Sequence, residues 1–509
     1  MRNNRRPPFP PRLSAAGRAV RCFGLSAALF TAAGTAALLA APSAKVRFAT
    51  YNTSLFRPSA GALIAELNNP SGGSPNIADI HRIAEAIQRT APDVLLVNEF
   101  DWDANGDALR LFHDNFLAAA QKPGLTPLNY PYRYTAPPNT GVSSGFDLDN
   151  AGGVVSTPGT EAYGNDCFGF GTFPGQYGLA VYSKFPIDTA RLRSFQFFLW
   201  KDMPGSRLLL PTGNPSLLAY YTAAERDVLR LSSKTHLDVP IDLGGGILAH
   251  LLVSHPTPPT FDAAEDKNGK RNHDEIRLWA DYIDPAKSAY IYDDKGTRGG
   301  LPPGARFVIE GDSNADPFDG DSLPGAARQF TRNPLINNTF VPVSAGGAAF
   351  GGNGQIGSSS QDTAAFSGGL RVDYVLPSAA GFSIQTGGVF WPGPSDPLRA
   401  VVSDSDPSDH HLVWLDLIPR VSLQEAVQNF QATPQPPSGA PASVVLTWQA
   451  APGYIYQIER SPTLTTGTWV PAQVNPAIDP ITFAASATVP LSLPAEGRMF
   501  YRLQISFAP

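Results

Sequence analysis

The chain has 509 residues, 42% hydrophobic and only 16% charged, enough apolar material for at least one large core and a composition unlike that of a disordered polymer. Its 2 cysteines exclude a disulfide framework or a cysteine-rich metal cluster, and 47 glycines with 49 prolines predict long loops. The formal charge of −6 gives no support to non-specific binding along a polyanion.

The first segment, residues 1–44, carries Arg2, Arg5, Arg6, Arg12, Arg18 and Arg21 and no acid. An uncharged run rich in Ala and Leu follows from Cys22 to Ala41, with small residues at Pro42, Ser43 and Ala44. This pattern reads as a secretory signal peptide, and so as an extracellular or periplasmic protein. Much of the run is Ala, Ser, Thr and Gly, and no basic stop-transfer cluster follows it, so no stable membrane span is expected. Its removal would take the formal charge from −6 to about −12. Cys167 would then be the only thiol; no basic residue lies near it in sequence, and it reads as buried and inert.

Short apolar runs then alternate with helical patterns. Val46 to Asn52 reads as a strand, Ile77 to Thr90 repeats apolar residues at helical spacing, and Val94 to Val97 reads as a strand buried on both faces. Further runs fall at Gly178 to Ser183, Ile247 to Ser254, Phe307 to Ile309, Leu370 to Leu376 and His411 to Leu417. Asn272 to Glu275 resembles a capping box, predicting a helix that starts there and continues through Ile276, Trp279 and Ile283. Glycine-rich stretches at Asn139 to Gly175 and Gly346 to Gly369 read as long functional loops. The alternation of strands and helices predicts an α/β class for residues 45–419. Residues 420–443 include the run PQPPSGAPAS and read as a linker. Residues 444–509 show strand-like runs at Val444 to Trp448, Tyr454 to Glu459, Ala487 to Leu493 and Phe500 to Ile505, predicting a small all-β sandwich.

Polar residues recur at the ends of the apolar runs: Asn52, Glu99, His255, Asp312 with Asn314, and Asp409 with His410, while Asp373 lies inside one. A carboxylate within an apolar strand is costly unless it is paired or binds a cation, and six polar sites in one chain, four of them with a carboxylate, point to a shared centre.

The segments FATYNTSLF, PDVLLVNEFD, LLVSHPTPP, VIEGDSNADP, LRVDYVLPS and DPSDHHLVWLDL resemble, in that order, the signature strands of the endonuclease/exonuclease/phosphatase superfamily, the fold of deoxyribonuclease I and the neutral sphingomyelinases. Asn98 stands where members commonly have Gln. The resemblance implies a four-layer α/β sandwich of two packed sheets. It also implies metal-dependent hydrolysis of phosphate esters by attack of water, with a phosphodiesterase or nuclease as the first expectation. A phosphomonoesterase or a phospholipase on the same fold is the alternative, and a non-catalytic surface-binding protein is a rival of another class.

By resemblance Glu99 would ligate a divalent cation, Mg²⁺ or in its place Mn²⁺, with Asp409 a second ligand and Asn52 in support. Asp312 would orient or deprotonate the attacking water and Asn314 would hold a phosphoryl oxygen. His410 would stabilise the phosphate or act as acid, with Asp373 fixing its tautomer, and His255 would complete the site. The expected partner is a phosphate-ester substrate. The C-terminal module is expected either to dock the enzyme on a cell surface or polysaccharide, or to pack through Trp448, Tyr454, Tyr456 and Trp469. Asp316, Asp319 and Asp321 read as a solvated acidic loop, since Pro317 and Leu323 break the pattern of a calcium loop.

Overall fold

The computed structural model describes residues 45–420, apart from 213–214, 245–246 and 353, and in the C-terminal part 427–435, 443–450, 454–461, 470–479, 484–490 and 500–507. The segment read as a signal peptide lies outside the described residues. The chain divides into two compact units, with the boundary between Arg420 and Val421.

The larger unit holds two sheets. One is six-stranded, in the order β10-β11-β1-β2-β4-β3, from β1 (Val46–Leu55), β2 (Val94–Phe100), β3 (Tyr132–Thr135), β4 (Leu179–Ser183), β10 (Phe382–Val389) and β11 (Val413–Pro419). The other runs β5-β6-β7-β8-β9, from β5 (Arg193–Ser194), β6 (Leu237–Asp242), β7 (Leu248–Val253), β8 (Phe307–Asp312) and β9 (Asp373–Pro377). They meet face to face, β1 and β2 against β8, and β1 and β11 against β9.

Period-2 alternation decides what each strand buries on each face. Ala49, Tyr51, Leu95 and Val97 face outward into one cluster with Ile80, Ile83 and Ile87 of the helix Pro75–Thr90. Leu252, Phe307, Ile309, Tyr374 and Leu376 face outward into a second cluster with Ile276 and Trp279 of the helix Lys267–Tyr282. Thr50, Asn52, Asn98, Glu310, Asp312 and Asp373 are left on the inner faces, all buried. Helices therefore cover the outside of both sheets, giving the four layers of a deoxyribonuclease I-like sandwich.

The helix Pro75–Thr90 starts where its chemistry allows: the Ser74 hydroxyl accepts from Ile77 N–H, Pro75 opens the first turn, and Ala91 ends it in the left-handed region. The helix read as starting at Asn272 instead spans Lys267–Tyr282. Asn272 and Glu275 lie inside it, fully buried, and their side chains tie loops to the helix rather than capping it. The reading failed because a polar pair aimed inward has the same sequence spacing as a cap.

The smaller unit forms sheets β12-β13-β17-β16 and β15-β14-β18, from β12 (Val427–Gln435), β13 (Ser443–Ala450), β14 (Tyr454–Ser461), β15 (Val470–Pro471), β16 (Ala477–Ile478), β17 (Ala484–Pro490) and β18 (Phe500–Phe507). Alternate residues Val444, Leu446, Trp448 and Ala450 pack with Tyr456, Ile458, Ala487 and Val489 between them. The linker reading of 420–443 needs correction, because β12 lies within it and pairs antiparallel with β13. Pro434 sits near the end of this edge strand, where a missing N–H is tolerated. Two of the four aromatic residues named for packing, Trp448 and Tyr456, lie in the core of this unit itself.

Candidate active site

Asp312 is the last residue of β8 and points between the sheets. Its Oδ2 accepts from Asn52 Nδ2 at 3.0 Å and lies 3.4 Å from His255 Nε2 and 3.6 Å from His410 Nε2. Its Oδ1 accepts from the backbone N–H of Asn314 at 2.8 Å, closing the turn after the strand. The other ring nitrogen of His410 donates to Asp373 Oδ2 at 2.9 Å. Six of the sequence-predicted residues, Asn52, His255, Asp312, Asn314, Asp373 and His410, thus form one contact chain drawn from both sheets.

Glu99 and Asp409 stand beside this chain, the Glu99 carboxylate next to the Asn52 amide and Asp409 immediately before His410. The burial of Glu99 pushes its carboxyl above the usual range, against the opposing pull of His410, the Asn52 amide and Lys234, and with Asp409 adding repulsion. The tighter trio is Asp312, Asp373 and His410, which each bring one ligand atom within 4.8 Å of the others.

Local backbone explains how Glu99 reaches the centre. The β1–β2 register shifts between Asn52 and Leu55, and both Ser54 (φ 51°) and Glu99 (φ 56°) adopt the left-handed region. A shift of this kind re-aims a side chain that simple alternation would send to the outer face. Asn314 (φ 49°) is strained in the same way. Such conformations cost about 1–3 kcal/mol each and persist where the surroundings hold them.

The electrostatics divide the groups by role. Burial pushes the Asp312 carboxyl up to about 7, countered by His410 and by its two amide donors. Burial alone would lower the His410 pKa, but Asp373 and Asp312 outweigh it and hold the ring well above its ordinary value. His255 is held well below its ordinary value by burial, with Lys234 and His410 adding to the effect, so its ring is neutral. Its Nδ1 is buried without a partner.

Sequence reasoning missed several residues that hold this geometry. The Thr363 hydroxyl donates to Asp373 Oδ2 at 2.8 Å and accepts the backbone N–H groups of Val372 and Asp373, fixing the carboxylate for His410. Ser408 accepts from His410 N–H and donates to the Asn52 carbonyl, joining the two ends of the unit. Glu275 accepts from Ser233 N–H, the Ser233 hydroxyl and Thr257 N–H, and Asn272 donates to the carbonyls of Thr257 and Ser313. Lys234, buried just before β6, is an electrostatic neighbour of both Glu99 and Asp312. Asn98, at the position where Gln is common, bridges the sheets instead: it accepts from Thr50 and donates weakly to the Ser254 carbonyl.

Other polar and thiol side chains have structural partners. His411 lies between the Thr363 and Ser403 carbonyls and stacks on Trp391 at 3.8 Å, in a packing role. Cys167 is buried and donates to the Tyr163 carbonyl, and burial pushes its thiol up to about 12. Asp316 and Asp319 spend their oxygens on backbone N–H groups of Phe318, Asp319, Arg371, Ile356 and Gly357, which holds the acidic loop closed. The Asn314 amide donates one N–H to the Pro256 carbonyl at 3.1 Å, leaving its second hydrogen for another acceptor.

The donor set fits a hard divalent cation. Glu99 and Asp409 offer carboxylate oxygens and Asn52 an amide oxygen, while the acids Glu99, Asp312, Asp373 and Asp409 outnumber the cations His410 and Lys234. A cation there would offset the desolvation that now raises Glu99.

The chain resembles several solved structures. A truncated TDP2 from Caenorhabditis elegans is 13% identical, with 74% of this chain and 98% of that one covered and a TM-score of 0.34. An endonuclease/exonuclease/phosphatase family protein from Bacteroides thetaiotaomicron is 13% identical over 74% and 98% of the two chains, with a TM-score of 0.35. ANGEL2, a 2′,3′-cyclic phosphatase, is 12% identical over 74% and 96%, with a TM-score of 0.36. Comparison with curated proteins found no match. The model of the Endonuclease/Exonuclease/phosphatase family matches residues 49–410, a span that runs from β1 to His410 and takes in every residue of the centre, and the chain belongs to that family.

Proposed function

We propose that this protein is a secreted, divalent-metal-dependent hydrolase of phosphate esters, acting first on phosphodiesters. Family membership supports hydrolysis of phosphoester bonds. The observation that carries the finer reading is the convergence on Asp312 Oδ2 of Asn52, His255 and His410, with the far side of His410 held by Asp373. The composition of residues 1–44 supports export.

Phosphate-ester hydrolysis needs an oriented water, neutralisation of the phosphoryl oxygens and a proton for the leaving oxygen. Asp312, a carboxylate made more basic by burial and fixed by Asn52 and Asn314, orients the water and takes its proton. His410, held as imidazolium by Asp373, faces the same point, stabilises charge on the phosphoryl group and gives its Nε2 proton to the leaving oxygen. Neutral His255 completes the wall around Asp312, and the free hydrogen of the Asn314 amide supplies a further donor. Glu99, Asp409 and Asn52 would hold Mg²⁺ or Mn²⁺, which when bound supplies Lewis-acid polarisation of the phosphate.

The purified protein, screened on a nucleic acid, a phospholipid, a soluble phosphodiester and a phosphomonoester, is expected to hydrolyse a diester fastest. Chelator should abolish turnover, Mg²⁺ or Mn²⁺ should restore it, and Glu99→Gln should weaken both turnover and metal binding. Full turnover in chelator, or in Glu99→Gln, would overturn the metal assignment.

A further inference from the structure

Resting on the phosphoesterase reading, we propose that Lys234 is a substrate-contacting residue of this centre, its ammonium placed to hold a non-bridging oxygen of the phosphoester. Lys234 is only 6% exposed, and among the described residues its Nζ takes part in no hydrogen bond or ion pair. With its stem buried and no protein group bonded to it, the ammonium depends on solvent or a ligand to complete its bonding.

Its surroundings say what that ligand is. The charges that act on it belong to Glu275 and Arg271 on the helix Lys267–Tyr282, Glu99 on β2 and Asp312 on β8, and its own charge acts on His255. Glu275 is the one that could serve as a structural counter-ion, but its two oxygens already accept from Ser233 N–H, the Ser233 hydroxyl and Thr257 N–H. The ammonium is left in the field of Glu99 and Asp312, the two acids that would hold the cation and the water.

The backbone is locked to keep it there. The Lys234 carbonyl accepts from Asn139 N–H at 2.8 Å, and Asn139 Nδ2 donates to the Ser232 carbonyl at 2.8 Å. A side chain at Gly169 would meet the Ser233 carbonyl oxygen at 1.8 Å, so the glycine-rich segment 139–175 is pressed against the residue that precedes the lysine. A clamped backbone, a buried side chain and an open set of donors next to acids assigned to a phosphate reaction describe an anion-binding lysine. An ammonium offers three donors to phosphoryl oxygens and acts as a point charge where negative charge accumulates in the transition state.

The test uses the full chain with Mg²⁺ and the variants Lys234→Met and Lys234→Gln, each checked for fold by circular dichroism and melting. Removal of one such donor should lower kcat on a soluble phosphodiester roughly 100-fold. Calorimetric titration should show inorganic phosphate binding weakened at least about tenfold and Mg²⁺ binding unchanged or tighter, since a repelling charge has gone. Phosphate binding equal to that of the unsubstituted protein would overturn the proposal, whatever happens to Mg²⁺ affinity, and would make the lysine a packing residue. Failure of the unsubstituted protein on every ester would overturn the phosphoesterase reading instead, while the phosphate titration would still decide Lys234. Whichever of the two variants folds is sufficient for that titration.

Discussion

Replacing Asp373 by Asn tests whether His410 and Asp373 act as one unit, because it removes charge while leaving shape. Asp373 Oδ2 now accepts from both His410 Nδ1 at 2.9 Å and the Thr363 hydroxyl at 2.8 Å. An Asn carbonyl oxygen in the same place can accept both bonds. Its NH₂ group then falls where Asp373 Oδ1 lies buried without a partner, which costs about 1–3 kcal/mol of stability. The larger effect is electrostatic. A unit charge pair near 4 Å is worth ~4 kcal/mol at an effective dielectric of about 20, and the retained neutral hydrogen bond offsets part of that. A loss of roughly 2–4 kcal/mol in transition-state stabilisation corresponds to roughly a 30- to 1,000-fold fall in kcat. The assay is steady-state hydrolysis of a soluble phosphodiester with Mg²⁺ by Asp373→Asn, His410→Ala and the double variant, each folded by circular dichroism. The double variant should match His410→Ala within about threefold, since an imidazole that is gone cannot be oriented. Multiplicative losses, or an Asp373→Asn enzyme within about threefold of the unsubstituted one, would refute the coupling.

Gly311→Ala should destabilise the protein by roughly 2–4 kcal/mol in urea unfolding, because Gly311 has φ 144° and an added Cβ would meet the Ser254 carbonyl oxygen at 1.9 Å; a change below about 0.5 kcal/mol would contradict the packing described. His236 accepts from the Ser232 hydroxyl and donates to the Glu275 carbonyl as a neutral ring, and burial lowers its pKa to about 4. A depressed histidine contributes stability that is complete above about 6.5 and is lost as pH falls toward about 4, so the unfolding free energy of His236→Gln should gain about 2–3 kcal/mol on that of the unsubstituted protein between pH 7.5 and 4.5; parallel pH curves would contradict it. Truncation after Arg420 should leave turnover on a small soluble diester within about threefold, because every residue of the centre precedes that point, and loss of turnover in a folded truncation would tie the second unit to catalysis.

What the sequence displays and what it conceals follow from the range of the contacts involved. The runs at Val46, Val94, Phe307 and His411 are legible because a strand buried by two layers must be apolar almost throughout, and a carboxylate at its end stands out against that background. Strand β6 is hidden by Pro240, which ordinarily breaks a strand. Here the Pro240 carbonyl points to the segment 186–188, accepting from Asp188 N–H, so the side lacking an N–H faces that short flanking segment and the ladder to β7 is intact. Strand β10 is hidden by Gly387 and Gly388 and by its partial exposure.

The site divides along the same line. Asn52, Glu99, Asp312 and His410 mark strand ends and carry motif residues, so their convergence could be anticipated. Thr363, Lys234, Glu275 and Asn272 carry no local signal, since only the fold sets each beside the groups it serves: Glu275 on Ser233 is a separation of 42 residues, and Asn272 on Ser313 one of 41. A buried polar residue is stable only when its partners are supplied, and one sequence does not say from where. For these four the structure is the first level at which the question can be asked. Glu275 and Asn272 bond the loops that present Lys234 and His255, so the helix Lys267–Tyr282 works as a frame for the catalytic end of the second sheet. A residue pair that mimics a helix start in the sequence is, in the folded chain, what sets the distance between two walls of the centre.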